Sequence, residues 1–216
     1  MRMFPHKSLS HARTMLLALC FLIGFVPLFS VSPISVPKAQ AQAQDTQFDL
    51  GWASNESAQI TSMAWGDYDN DGDLDLVVGS SDAPIRLYRN DHGILTTTAV
   101  WSSTLSDPTT SIAWGDMDGD GYLDLVVGNT GQPNRLYHND HGTLTATAAW
   151  SSILSDPTSS VALGDLDSDG DLDLVVGNNG QPSRVYRNDH GTLTTTAVWS
   201  STLSDSTRSI ALGDVD

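Results

Sequence analysis

Past residue 43 the apolar positions fall in short bursts, and none keeps the 3.6-residue period of a helix. Residues 111–115, SIAWG, alternate and run straight into an acidic loop. Residues 123–128, LDLVVG, have the β-branched apolar character of a buried strand. A polar loop with proline, NTGQPN, separates them from RLYHN, a third strand. The turn DHG then leads into TLTATAAW, residues 143–150, whose period-2 threonines predict a fourth.

That sequence of elements recurs. AWGDYDNDGDLDLVVG begins at Ala64, AWGDMDGDGYLDLVVG at Ala113 and ALGDLDSDGDLDLVVG at Ala162, with ALGDVD at Ala211, a spacing of 49 residues each time. Trp52, Trp101, Trp150 and Trp199 keep the period, as do His92, His141 and His190. Four short strands in 49 residues, repeated in tandem, predict an all-β fold, a β-propeller of four-stranded antiparallel blades. Strand content excludes a helical solenoid, and a parallel β-helix has a shorter period. The complete units are 53–101, 102–150 and 151–199, with 200–216 truncated. Residues 48–52 align with the end of a fourth strand, as half of a ring closure would. Three units cannot close a ring, and the sequence stops inside a fourth loop, so an incomplete propeller and a fragment of a longer protein are expected.

The chemistry lies in the acidic loop between the first two strands. Counted from its first aspartate, carboxylates stand at positions 1, 3, 5 and 9: Asp67, Asp69, Asp71 and Asp75; Asp116, Asp118, Asp120 and Asp124; Asp165, Asp167, Asp169 and Asp173. Asp214 and Asp216 begin an incomplete fourth set. Glycine holds position 6 each time (Gly72, Gly121, Gly170), where a tight loop needs a positive φ. Alternate side chains in such a loop point inward and converge, and calcium takes six to eight oxygens at roughly 2.3–2.6 Å in flexible geometry. Position 7 is Asp73, Tyr122 and Asp171; a tyrosine there suits a backbone carbonyl ligand, not a side-chain one. Position 12 is Val78, Val127 or Val176 inside a strand, which excludes an EF-hand. One calcium ion per complete repeat, three in all, is the expectation. The competing reading is a merely solvated acidic turn.

Charge fits that expectation. Residues 44–216 carry 26 acidic groups against six arginines, a net charge of −20 with no lysine and no cysteine. The three loops hold 14 of those carboxylates, and three calcium ions would move −20 to −14. Nucleic acid and anionic membranes are poor partners for such a surface.

The D-x-D-x-D-G-x-x-D loop between two strands, in tandem with LVVGN and RLYRN, resembles the FG-GAP or VCBS-type repeats of integrin α-subunit propellers and many exported proteins. The resemblance covers residues 48–216. It implies a calcium-stabilised propeller, usually seven-bladed, used in extracellular recognition or adhesion. The phenylalanine–glycine start of the integrin repeat is replaced by Trp65-Gly66, Trp114-Gly115 and Leu163-Gly164.

The first 43 residues predict an export signal: Arg2, Lys7 and Arg13, an apolar stretch from Met15 to Phe29, then KAQAQAQ with cleavage after Ala41 or Ala43. An uncleaved anchor competes, but Pro27 and Pro33 interrupt the run, and Leu19 argues against a lipid on Cys20. The chain is therefore expected to be secreted or at the cell surface, with no membrane insertion after cleavage.

The remaining periodic residues have structural readings. The NDHG histidines are turn residues, the tryptophans pack between blades, and Arg86, Arg135 and Arg184 pair with nearby carboxylates. His138 replaces the arginine found at 89 and 187, and one substitution does not define a site. No unique cluster breaks the repeat as a catalytic centre would, so no catalytic residue is assigned. The function expected is recognition of an extracellular protein or glycan. The alternative is a non-catalytic accessory domain of an exported hydrolase or lyase.

Overall fold

The β-branched run after each acidic loop forms the second strand of a blade, Asp75–Ser80, Asp124–Asn129 and Asp173–Asn178. It sits between the first strand (Ile60–Gly66, Thr109–Gly115, Thr158–Gly164) and the third (Arg86–Tyr88, Arg135–Tyr137, Arg184–Tyr186). A two-residue outer strand (Trp101–Ser102, Trp150–Ser151, Trp199–Ser200) completes each sheet of four. All pairings are antiparallel, and the register repeats: Ala64, Ala113 and Ala162 face Val77, Val126 and Val175. The computed structural model describes residues 51–213, within a unit that spans Phe48–Asp216. The expected export signal and the fourth loop at Asp214 and Asp216 lie outside the described residues. Among the described residues there is no helix, and the three sheets form an open array of propeller blades.

The core lies between blades. Side chains alternate faces along a strand, so one second strand serves two interfaces. Leu125 and Val127 join Val77, Leu87 and Tyr137 between the first and second blades, while Val126 points the other way, into a cluster with Leu174, Val176 and Tyr186. Adjacent blades approach closely enough to need glycine: a Cβ on Gly128 would lie 2.7 Å from the Thr158 methyl of the next blade. Beside it the Thr110 hydroxyl stands 3.0 Å from Gly128 O and 2.7 Å from Thr158 O, linking the two innermost strands.

The tryptophans pack between blades. Trp52, Trp101 and Trp150 meet Tyr88, Tyr137 and Tyr186 of the following repeat edge-on, with centroids 5.2, 5.4 and 5.3 Å apart. The expected arginine pairing occurs at two of its three positions: Arg135 and Arg184 donate from Nε to Asp107 and Asp156 at 2.7 Å, whereas Ala58 stands at the equivalent position for Arg86.

The threonine-rich fourth strand is corrected. Residues 143–149 add no strand to the blade sheet: Leu144 makes one isolated bridge to Asn139, and only Trp150–Ser151 joins the sheet. The carbonyls that a strand would direct to its own blade are taken by the preceding connection. Thr97 O accepts from Asn55 N, Ala146 O from Thr104 N, and Thr195 O from Ile153 N. Alternation reports which side chains share a face, not which backbone the carbonyls meet.

Candidate metal centre

Each acidic loop is wound around its first carboxylate. Asp116 Oδ1 accepts Gly119 N and Asp120 N at 2.8 and 3.1 Å, and its Oδ2 accepts Gly121 N at 2.9 Å. Asp67 and Asp165 do the same for Gly72 N and Gly170 N at 3.0 and 3.1 Å. The reversal this demands passes through Gly72, Gly121 and Gly170 at φ of 94°, 91° and 97°, the left-handed region where glycine carries no Cβ penalty. Position 5 closes a smaller turn: Asp120 Oδ1 accepts Tyr122 N at 2.8 Å.

Position 9 is the buried member. Asp75, Asp124 and Asp173 are at most 1% exposed at the start of the second strand. One oxygen accepts the position-2 amide (Tyr68, Met117, Leu166) and the other the amide of Asn90, Asn139 or Asn188 after the third strand. Burial pushes the Asp75 carboxyl up to about 6, against those two amides, and pushes Asp124 upward as well. A second charge is needed to keep such groups ionised cheaply.

Position 7 turns away from the loop. Asp73 Oδ2 and Asp171 Oδ2 each accept the amide of the turn histidine, His92 N and His190 N, at 2.8 Å. Tyr122 instead lies against the His141 ring, centroids 5.0 Å apart. The histidines are turn residues, at φ of 54°, 51° and 48°. Their rings bond the preceding aspartate, which raises the imidazole pKa of each. Loop and turn thus share one face.

The carboxylates converge. In the second and third loops, positions 1, 3 and 9 (Asp116, Asp118, Asp124; Asp165, Asp167, Asp173) each offer an oxygen within 4.8 Å of the others; in the first loop Asp67, Asp69 and Asp71 do so. Asp69 Oδ1 is buried and has no hydrogen-bond partner among the described residues. Burial and the neighbouring Asp71 both push its carboxyl pKa up. Hard oxygen donors gathered around a partnerless carboxylate oxygen fit a divalent cation such as calcium.

The sequence reading passed over the asparagines that join one loop to the next blade. Asn139 Nδ2 donates to Tyr68 O of the first loop at 2.7 Å and to Leu123 O of its own at 2.9 Å; Asn188 Nδ2 reaches back to Met117 O at 2.6 Å. Both are fully buried. The signal was there, an asparagine after RLYR, RLYH and RVYR at the same period. The turn glycines also close over the preceding loop, a Cβ on Gly142 lying 3.2 Å from Asp69 Cβ.

Comparison with known proteins agrees with this architecture. A family described as FG-GAP-like repeat matches residues 67–127, 116–176 and 165–216. A curated relative, the BBSome complex member bbs-2 of Caenorhabditis elegans, is 54% identical over 33 residues, which is 15% of this chain and 5% of that protein. Two crystal structures of BBS1N in complex with ARL6DN, one soaked with mercury and one with lead, align with TM-scores of 0.53 and 0.52 at 15% identity. They cover 73% and 74% of this chain, which spans about half of each solved structure, 48% and 49%. At that identity the likeness is one of fold.

The relatives overturn the expected address. They are a BBSome complex member and BBS1N, not secreted or cell-surface proteins, so the secreted or cell-surface assignment is withdrawn. It rested on the positive charge, the apolar run and the KAQAQAQ stretch of residues 1–43 and on the resemblance to exported repeat proteins. No helix among the described residues is long and apolar enough to cross a membrane.

Proposed function

This chain belongs to the FG-GAP-like repeat family, and from that membership we propose a calcium-braced propeller module that binds a protein partner. The observation that carries the calcium part is the convergence of loop oxygens within 4.8 Å in all three repeats, including the partnerless Asp69 Oδ1. Asp67, Asp69, Asp71 and Asp75, with their counterparts in the second and third loops, would hold the ion by side chains, and residues 73, 122 and 171 by their carbonyls. A bound calcium supplies positive charge that offsets the crowded carboxylates and fixes the loop. The residues around it orient the loop: the position-9 aspartate ties it to the third strand, and Asn139 and Asn188 tie it to the neighbouring blade.

The partner-binding part rests on the faces of the array. Cation loops and NDHG turns occupy one face. The other carries polar loops at 81–85, 130–134 and 179–183, which suit a protein surface and lack aromatic platforms for sugars. The BBS1N neighbour is described in complex with ARL6DN, which supports a protein ligand for this fold. No catalytic role is proposed.

Calorimetric titration of the full chain with calcium tests the reading. Three ions bound per chain is the expected result. No binding at millimolar calcium would overturn it.

A further inference from the structure

The three loops do not offer the same donors, and the difference lies at one residue of the third-strand end. In the third blade Arg187 stands there, with Nη1 4.0 Å from Asp167 Oδ2. In the first blade Arg89 stands there, and its charge acts on Asp69. An arginine at this point is a permanent cation that cannot ligate a metal. In the second blade the residue is His138, with Nδ1 3.3 Å from Asp118 Oδ2 and 3.1 Å from Asp124 Oδ1. Asp124 is 1% exposed, so one edge of this group is a fully buried carboxylate. Asp118 and Asp120 bring oxygens within 4.8 Å of that histidine, and Asp118 also belongs to the convergent set with Asp116 and Asp124.

We propose that His138 is a specificity-determining ligand that turns the second loop into a mixed nitrogen–oxygen site for a first-row transition ion of the zinc class, while the first and third loops remain oxygen-only. This rests on the reading that the loops bind divalent cations and deepens it for one of them. Imidazole nitrogen suits zinc, cobalt and nickel, whereas calcium has little use for it. The spacing is suitable too. Metal–ligand bonds of about 2.0–2.2 Å place neighbouring ligand atoms roughly 3.0–3.5 Å apart, and the two His138 contacts fall in that interval. Histidine in place of arginine also takes away the permanent positive charge that stands beside the loop in the other two copies.

Cobalt(II) titration of the full chain, read by its visible ligand-field bands, tests this directly. The wild type should bind one cobalt with a spectrum showing a nitrogen ligand, displaced by zinc. His138→Arg reproduces what the first and third blades already accommodate, so it should fold. It should weaken cobalt binding at least about tenfold to a hundredfold while keeping the calcium-induced rise in melting temperature. His141→Asn, in an exposed turn, should leave cobalt binding unchanged. Cobalt binding indifferent to His138→Arg, or lost in His141→Asn, overturns the selectivity and leaves the calcium reading standing. Absence of a calcium effect in both proteins overturns the reading of the loops itself.

Discussion

Gly66 lies beneath the indole of Trp114: a Cβ on that glycine would stand 2.7 Å from Trp114 Cδ1. The two residues end the first strands of adjacent blades, and the contact repeats as Leu163 on Gly115 at 2.6 Å. The glycine after the apolar residue is thus a socket for the next blade.

Gly66→Ala is expected to destabilise the chain by about 1–3 kcal/mol, because a rigid ring and a packed blade must both shift. Gly72, at φ 94° with nothing within 4 Å of its Cβ position, should cost only the left-handed conformation, about 1–2 kcal/mol. Trp114→Leu, which copies the third blade, should lessen the Gly66→Ala penalty. Urea unfolding of the singles and the double mutant measures the coupling.

The tryptophans are equivalent in sequence and unequal in structure. Trp150 is 9% exposed against Tyr186, whereas Trp199 is 55% exposed. Trp150→Ala should cost about 3–5 kcal/mol and Trp199→Ala less than about 1 kcal/mol. Equal losses in denaturant unfolding would contradict the inter-blade packing.

Asn139 spans two loops through one amide group. Asn139→Ala keeps the backbone bond to Asp124 and removes both donations, to Tyr68 O and Leu123 O, for about 1–3 kcal/mol. Asn139→Asp should cost more, since an acceptor would then face two carbonyls. Hydrogen exchange at the amides around Tyr68 should speed up in both variants, a cross-blade effect that loss of a purely local bond would not produce.

Glu56 holds the opening segment to the first blade, accepting Ala99 N and the Tyr88 hydroxyl at 3.1 Å each. The Ala99 amide, with Tyr88 also contributing, draws its carboxyl below the ordinary 4.5. A lowered folded value means the contribution is present above the unfolded value and disappears as the pH falls through the folded one. The melting-temperature gap between wild type and Glu56→Gln should therefore be largest near neutrality and close as the pH falls through the lowered folded value.

Much of this was legible because it was local. The 49-residue period, the buried LVVG strands and the loop spacing are written along the chain, and Gly121 at φ 91° sits where the spacing placed it. What escaped depends on residues a whole blade apart. The threonines of 143–149 alternate as a strand would, yet the Ala146 carbonyl among them is taken by Thr104 of another connection. Gly66 reads as motif until Trp114, 48 residues on, is laid over it. His138 reads as a single change until its nitrogen is seen against the buried Asp124.

The most direct test of the central claim is thermal unfolding of the full chain with millimolar calcium and with excess chelator. A ligand bound to the folded state alone stabilises by about 2.7 kcal/mol per site at a hundredfold excess over its Kd, and three loops should add. Calcium should raise the melting temperature; Asp169→Ala, in the oxygen-only third loop, should shrink that rise while costing about 1 kcal/mol or less in chelator, and Tyr122→Phe should leave the rise intact. A melting temperature identical in calcium and chelator would contradict the account and reduce the acidic loops to surface turns.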